Sequence, residues 1–252
     1  MIPRNNFFLS VTLVIGLAAC TTTPHDPTEN WSARKIYNEA SKSLRTGDFT
    51  QAVDYFEILE SRYPFGRYTL QSQLDIAYAH YKRQEYDVAI DACDRFIKLH
   101  PRNEHIDYAY YLKGLANFTR GSGLFTNFLG RDPSQHDQRS LSNAFADFDT
   151  LVRRFPDSQY VPDARQRMIF LRNEMAEHEY DIAQFYYSRG AMLATINRIK
   201  FMIENYNGAP LISDGLALMA QAYTNIGMDD LAADTLRVLA LNAPDHPALQ
   251  SN

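Results

Sequence analysis

Few residues in this chain have types and spacing that could do chemistry. Cys20 and Cys93 are its only cysteines, so modification of Cys20 would leave Cys93 without a partner for an intrachain disulfide. Cys93 falls in an apolar helical frame and reads as a buried structural thiol, not a nucleophile. Glu174 and His178 stand one helical turn apart and could share a metal ion, but two ligands make neither a structural nor a catalytic zinc site. No G-x-S-x-G, Walker loop, H-E-x-x-H or paired C-x-x-C occurs. The 30 acidic residues are scattered among polar helix faces, so no glycosidase-type carboxylate pair can be inferred. The expectation is no enzyme, no metal and no cofactor, which leaves recognition. Aromatic and cationic anchors for it concentrate in one short connector, Arg62-Tyr63-Pro64-Phe65-Gly66-Arg67-Tyr68.

The elements that must position this connector repeat along the chain. Ala52, Phe56 and Pro64 recur at the same spacing as Ala89, Cys93 and Pro101, as Ala144, Phe148 and Pro156, and as Ala232, Leu236 and Pro244. A small residue lets two antiparallel helices cross closely, a large one four positions on fills the groove, and proline stops the helix. This is the A-x3-F…P frame of the second helix of a tetratricopeptide (TPR) repeat. It predicts an all-α solenoid of five TPR helix-turn-helix repeats, with insertions in repeats three and four.

The amino terminus is of another kind. Arg4 is the only charge in residues 1–19, Phe7 to Gly16 form a short apolar run, and Leu17-Ala18-Ala19 precede Cys20. That is a secretory signal, too short for a confident membrane span. Its end resembles the bacterial lipobox, in which the Cys thiol receives diacylglycerol and becomes residue one after cleavage. Several acyl chains anchor stably where one binds only marginally. Residues 20–31 then read as a lipidated, extended tether, and the fold begins near Trp31 or Ser32.

Repeats one and two occupy residues 32–101. The first is built on Ile36, Ala40 and Leu44 with a turn at Gly47-Asp48; the second sets Leu74, Ala77, Tyr78 and Tyr81 against Tyr86, Ala89, Cys93 and Phe96. Repeat three, residues 102–159, carries a loop insertion at 120–139. Its Leu124, Phe125, Phe128 and Leu129 suit either a loop folded back on the solenoid or one that docks a partner. Repeats four and five span 160–244, with a continuous helical pattern from Val161 to Tyr187. In repeat four two frames are open: Ala194 as the small position puts Arg198 in the large slot, whereas Thr195 puts Ile199 there with Arg198 beside it. Burying an unpaired Arg is costly, which favours the second. Residues 245–252 are expected to fray.

The chain has 252 residues, of which 45% are hydrophobic, enough to bury a substantial core. A formal charge of -5 with no basic run argues against a nucleic-acid partner. The 16 Tyr and 15 Phe suit TPR packing positions, with a remainder free to line a groove. In the connector, Tyr63 and Phe65 have two readings that are compatible: a staple between repeats, or a binding surface.

Together the lipobox Cys, the tether, five TPRs, RYPFGRY at 62–68, FIKLHP at Phe96 to Pro101, FLGRDPS in repeat three and the run EYDIAQFYYSRGAMLATINR from Glu179 to Arg198 resemble the BamD (ComL) family of outer-membrane β-barrel assembly lipoproteins. The resemblance covers essentially the whole mature chain. It implies a lipoprotein anchored through Cys20 to the periplasmic face of the outer membrane, where Thr21 in place of Asp favours outer-membrane sorting. It also implies a part in folding and inserting barrel proteins. The amino-terminal repeats would recognise the targeting strand of nascent outer-membrane proteins, which places Tyr63, Phe65, Arg67 and Tyr68 on the substrate side. The carboxy-terminal repeats would dock a POTRA domain of the central, BamA-like subunit, which places Arg198 on that side, with accessory lipoproteins alongside. The connector departs from the family's pattern at Arg67, where Pro is expected in enterobacterial relatives. The alternative is another cell-envelope TPR lipoprotein acting in peptidoglycan binding or division.

Overall fold

A computed structural model describes residues 26–122 and 138–250. Ten α-helices follow one another among the described residues: α1 (Ala33–Thr46), α2 (Phe49–Arg62), α3 (Arg67–Lys82), α4 (Tyr86–Leu99), α5 (Ile106–Ser122), α6 (Gln138–Arg154), α7 (Val161–Ser188), α8 (Met192–Asn205), α9 (Ile212–Asn225) and α10 (Asp229–Asn242). Each packs on the next, making five helical hairpins in series. Odd-numbered helices also meet across repeat boundaries, α1 with α3, α3 with α5 and α7 with α9. They therefore form one layer of the solenoid and the even-numbered helices the other.

Local sequence sets the hairpins. Ser32 caps α1 by accepting from the Lys35 N–H, and Asp48 caps α2 by accepting from that of Gln51. Between them Gly47 adopts φ +84° and closes α1, with its N–H and that of Asp48 reaching the carbonyls of Leu44 and Ser43. Repeat two makes the corresponding turn with Gln84 at φ +64°, the one positive-φ residue other than glycine among the described residues. A side chain there is mildly strained.

The small-large frame is the core. Ala52, Ala89, Ala144, Phe56, Cys93 and Phe148 are fully buried. In repeat four Thr195 and Ile199 take the two slots, both fully buried, and the Thr195 hydroxyl donates to the Ala183 carbonyl. Arg198 is left at the edge. In the last hairpin Ala232 is buried but Leu236 only half so, since among the described residues α10 packs mainly on α9. Burial pushes the Cys93 thiol far above its ordinary pKa, which removes the thiolate that reactivity needs.

Three boundaries differ from expectation. Residues 26–31 are not an extended tether: they form a turn docked on the first hairpin, with Thr28 buried. The Arg62 guanidinium holds it, donating to the Thr28 carbonyl and, at 2.8 Å, to the Asp26 carboxylate. The ends of the 120–139 loop are helical, since α5 runs to Ser122 and α6 starts at Gln138. Arg120 fixes this end by bonding Ser140, Asn117 and Asp87, and Gly121 lets the α6 backbone approach closely. Residues 123–137, which include the apolar positions 124, 125, 128 and 129, lie outside the described residues, as do Cys20 and the signal segment. Finally, the tail does not fray at 245. A 3-10 turn at Pro247–Leu249 is capped by His246, whose Nε2 lies 3.3 Å from Asp214, and Leu249 packs on the last core cluster.

Candidate functional site

The connector between α2 and α3 turns on Gly66, whose φ of +135° and ψ of 171° are open essentially to glycine alone. That turn sends its four candidate residues to different places. Tyr63 points back into the first hairpin: its Oη donates to the Trp31 carbonyl at 2.8 Å and its ring joins the first core cluster. Its own carbonyl accepts from the Thr69 hydroxyl. Phe65 is 93% exposed, an aromatic ring that the fold itself does not use. Arg67 and Tyr68 go together, with the guanidinium 4.8 Å from the Tyr68 centroid and Nη2 donating to Tyr68 Oη at 3.0 Å.

Arg67 and Tyr68 line a cavity of about 280 Å³ that also takes Tyr37 from α1, Leu70, Gln71 and Leu74 from α3, and Asn103, Glu104 and His105 from the connector before α5. The Tyr37 and Tyr68 rings are 5.1 Å apart. Tyr37 Oη donates to Asp75 Oδ2 at 3.2 Å, and Gln71 Nε2 donates to Asp75 Oδ1 at 3.1 Å. Burial pushes the Asp75 carboxyl up, and the same burial with Asp75 beside it raises Tyr37. Both groups thus hold fixed positions under the cavity wall. Chemically the cavity offers aromatic walls, one guanidinium, the amide and imidazole of Asn103 and His105, and the Glu104 carboxylate, which is largely exposed to solvent; an aromatic side chain with a carboxylate placed toward Arg67 suits this set.

Tyr37, Gln71, Asn103 and His105 were not singled out from the sequence. One signal for part of the set was present: 37 residues separate Pro64 from Pro101, and the same step carries Arg67 and Tyr68 onto Glu104 and His105. Equivalent positions of successive connectors stack in a solenoid, so a cavity at the first connector borrows from the second.

Arg198 lies far along the solenoid on α8, where its Nη1 donates to Glu179 Oε2 on α7 at 2.9 Å. Its side chain is 41% exposed and that of Glu179 10%. Arg198 is therefore partnered, with one edge of its guanidinium facing solvent. Glu174 and His178 lie on α7, and no group of three or more His, Cys, Asp or Glu residues is placed to hold a metal among the described residues. No described helix is long and apolar enough to cross a membrane.

The YfiO family model, described as outer membrane lipoprotein, matches residues 29–239. The outer membrane protein assembly factor BamD of Neisseria meningitidis serogroup A is 40% identical over 96% of this chain and 92% of its own. That of Xylella fastidiosa is 34% identical over 99% and 88%, and that of Vibrio cholerae 32% over 93% and 95%. Among solved structures, the TPR2AB domain of yeast Sti1 in its pHSP90 complex superposes with a TM-score of 0.44 at 15% identity, covering 86% of this chain and 79% of that one. With identity at this level sustained from end to end, the chain belongs to the BamD family of outer membrane protein assembly factors.

Proposed function

We propose that this chain is a non-enzymatic lipoprotein of the outer-membrane β-barrel assembly machinery, held to the periplasmic face of the outer membrane through Cys20. In this reading the cavity of Tyr37, Arg67, Tyr68 and His105 receives the end of a nascent barrel protein, and the α8 face around Arg198 docks the POTRA domain of a BamA-like central subunit. Accessory lipoproteins bind alongside. The names of its relatives support the general role. The observation that carries the finer one is the cavity itself, in which two tilted tyrosine rings lie 5.1 Å apart beside a guanidinium, two residues on from an almost fully exposed phenylalanine. The targeting strand of a barrel protein that ends in an aromatic residue bearing the chain's terminal carboxylate presents the matching pair of groups.

Calorimetry of the full chain in detergent, with a peptide copying such a strand, tests this. Binding should weaken at least several-fold on Arg67→Ala, on Phe65→Ala and on amidation of the peptide's carboxylate, with the melting midpoint little changed. Tyr63→Ala should instead lower the midpoint, since Tyr63 ties the connector to Trp31. Affinity indifferent to Arg67, Phe65 and the carboxylate would overturn the reading.

A further inference from the structure

A second cavity, of about 380 Å³, lies between α6 and α7, well away from the connector. Phe145 and Val152 form its α6 wall; Arg165, Met168, Ile169 and Arg172 form the α7 wall. Both walls repeat at seven residues, about 10 Å along a helix. Ile169 is 46% exposed although an isoleucine gains by burial. The only formal charges on the lining are the two arginines, in a chain whose net charge is -5. Arg172 is fixed in place by Asn173 Oδ1 and the Asn207 carbonyl. Arg165 is exposed and makes no hydrogen bond or ion pair among the described residues. Asp149, which falls between Phe145 and Val152 on α6, is taken by Arg153, so no free carboxylate on that wall offsets the cations.

We infer that this groove docks an amphipathic α-helix of a partner protein, one that presents apolar residues at i, i+3 or i+4 and i+7 and carries carboxylates at its edges. Two helical ridges leave a furrow that a third ridge of side chains fills, which is how helix-in-groove recognition works. A strand is excluded as the occupant because both walls are helices whose backbone groups are satisfied internally, leaving no edge for it to pair with. The acidic edge follows from charge complementarity. Arg165 and Arg172 sit two turns apart on one rim, so carboxylates at the same interval meet both. This surface is separate from Arg198 and from the connector cavity.

The probe is a fluorescent, hydrocarbon-stapled 14-residue helix with leucines at those positions and Glu at its edges, titrated by anisotropy against the full chain in detergent. A second peptide carries Lys in place of Glu. The Glu-edged peptide should bind at least tenfold more tightly than the Lys-edged one. Ile169→Asp should weaken it about tenfold with the melting midpoint unchanged, Arg165→Glu should reverse the preference between the peptides, and Arg67→Ala and Arg198→Gln should have no effect. Equal binding of both peptides, or binding indifferent to Ile169 and Arg165, would overturn the inference. So would self-association of the chain that Ile169→Asp abolishes, which would make the groove a contact between copies. Peptide binding only after residues 123–137 are replaced by a short Gly-Ser linker would assign the groove to the chain's own segment and likewise overturn it.

Discussion

Arg198 on α8 and Glu179 on α7 form a bonded pair, Nη1 to Oε2 at 2.9 Å, in which the carboxylate is nearly buried and the guanidinium is not. The pair therefore closes α7 against α8 from the inside while leaving one cationic edge outside. Stability and docking can be separated here by choice of substitution. Arg198→Glu sets two carboxylates against each other and strands Glu179, and should cost about 1–3 kcal/mol. The double variant Arg198→Gln, Glu179→Gln removes both charges and should recover most of that loss in chemical denaturation. If α8 docks the central subunit through Arg198, the double variant should still fail to co-purify with it at physiological salt; normal recovery would count against the docking proposal.

Two helical glycines should respond differently to the same change. A Cβ at Gly114 would stand 2.6 Å from the Phe148 ring, which is fully buried. At Gly215 the nearest atom, at 2.4 Å, is Met202 Cε, the far end of a flexible side chain. Replacing a helical glycine by alanine otherwise gains about 1 kcal/mol. Gly114→Ala should therefore destabilise by about 1–3 kcal/mol through overpacking, and Gly215→Ala should be close to neutral, both read from denaturation midpoints.

The turn at residues 26–31 is held by Arg62, and its order should follow pH. Hydrogen bonds from the Thr28 side chain and backbone, with Arg62 nearby, lower the Asp26 pKa. A carboxylate with a lowered folded pKa contributes in full above its ordinary range and loses that contribution as pH falls through the folded value. Amide exchange at Glu29 and Trp31, both bonded within this turn, should be protected at neutral pH and lose protection below the ordinary carboxylate range. Arg62→Ala should abolish the protection at every pH while leaving that of α3 to α10 unchanged.

Cys20→Ser should yield a folded solenoid without an anchor, because acyl chains and not an acidic domain would hold it to the membrane. Fractionation followed by a high-salt or carbonate wash is the measurement. Retention equal to wild type would refute anchoring through Cys20.

How far the sequence could be read depends on whether an interaction repeats. The frame of Ala52, Phe56 and Pro64 occurs four times along the chain, so helix order and core positions were legible before any coordinates. Where two small residues stood side by side, as at Ala194 and Thr195, the pattern alone left the register open, and the cost of burying Arg198 pointed to the answer that burial of Thr195 and Ile199 then gave. The connector cavity was only half legible. Tyr68 and Arg67 carried visible chemistry, but Tyr37 and His105 enter from neighbouring repeats and have no local signature. The same holds for Arg62 reaching back to Asp26 and His246 to Asp214: each joins residues more than 30 apart that no periodicity connects.

Helix α7 has 28 residues where most of its neighbours have 14 to 17. As far as Met175 it supplies Val161, Ala164, Leu171 and Met175 to one core cluster, and beyond that Ala176 and Ala183 to the next. A rod about 42 Å long thus runs unbroken through two cores, while the amino-terminal hairpins are joined by short connectors and several smaller clusters. Helix α7 therefore couples those two cores through one continuous ladder of backbone hydrogen bonds. The connectors around Gly66 and Asn103, which frame the cavity, have no such through-going helix beside them, so a ligand that entered there would press on joints between hairpins and not on a continuous rod.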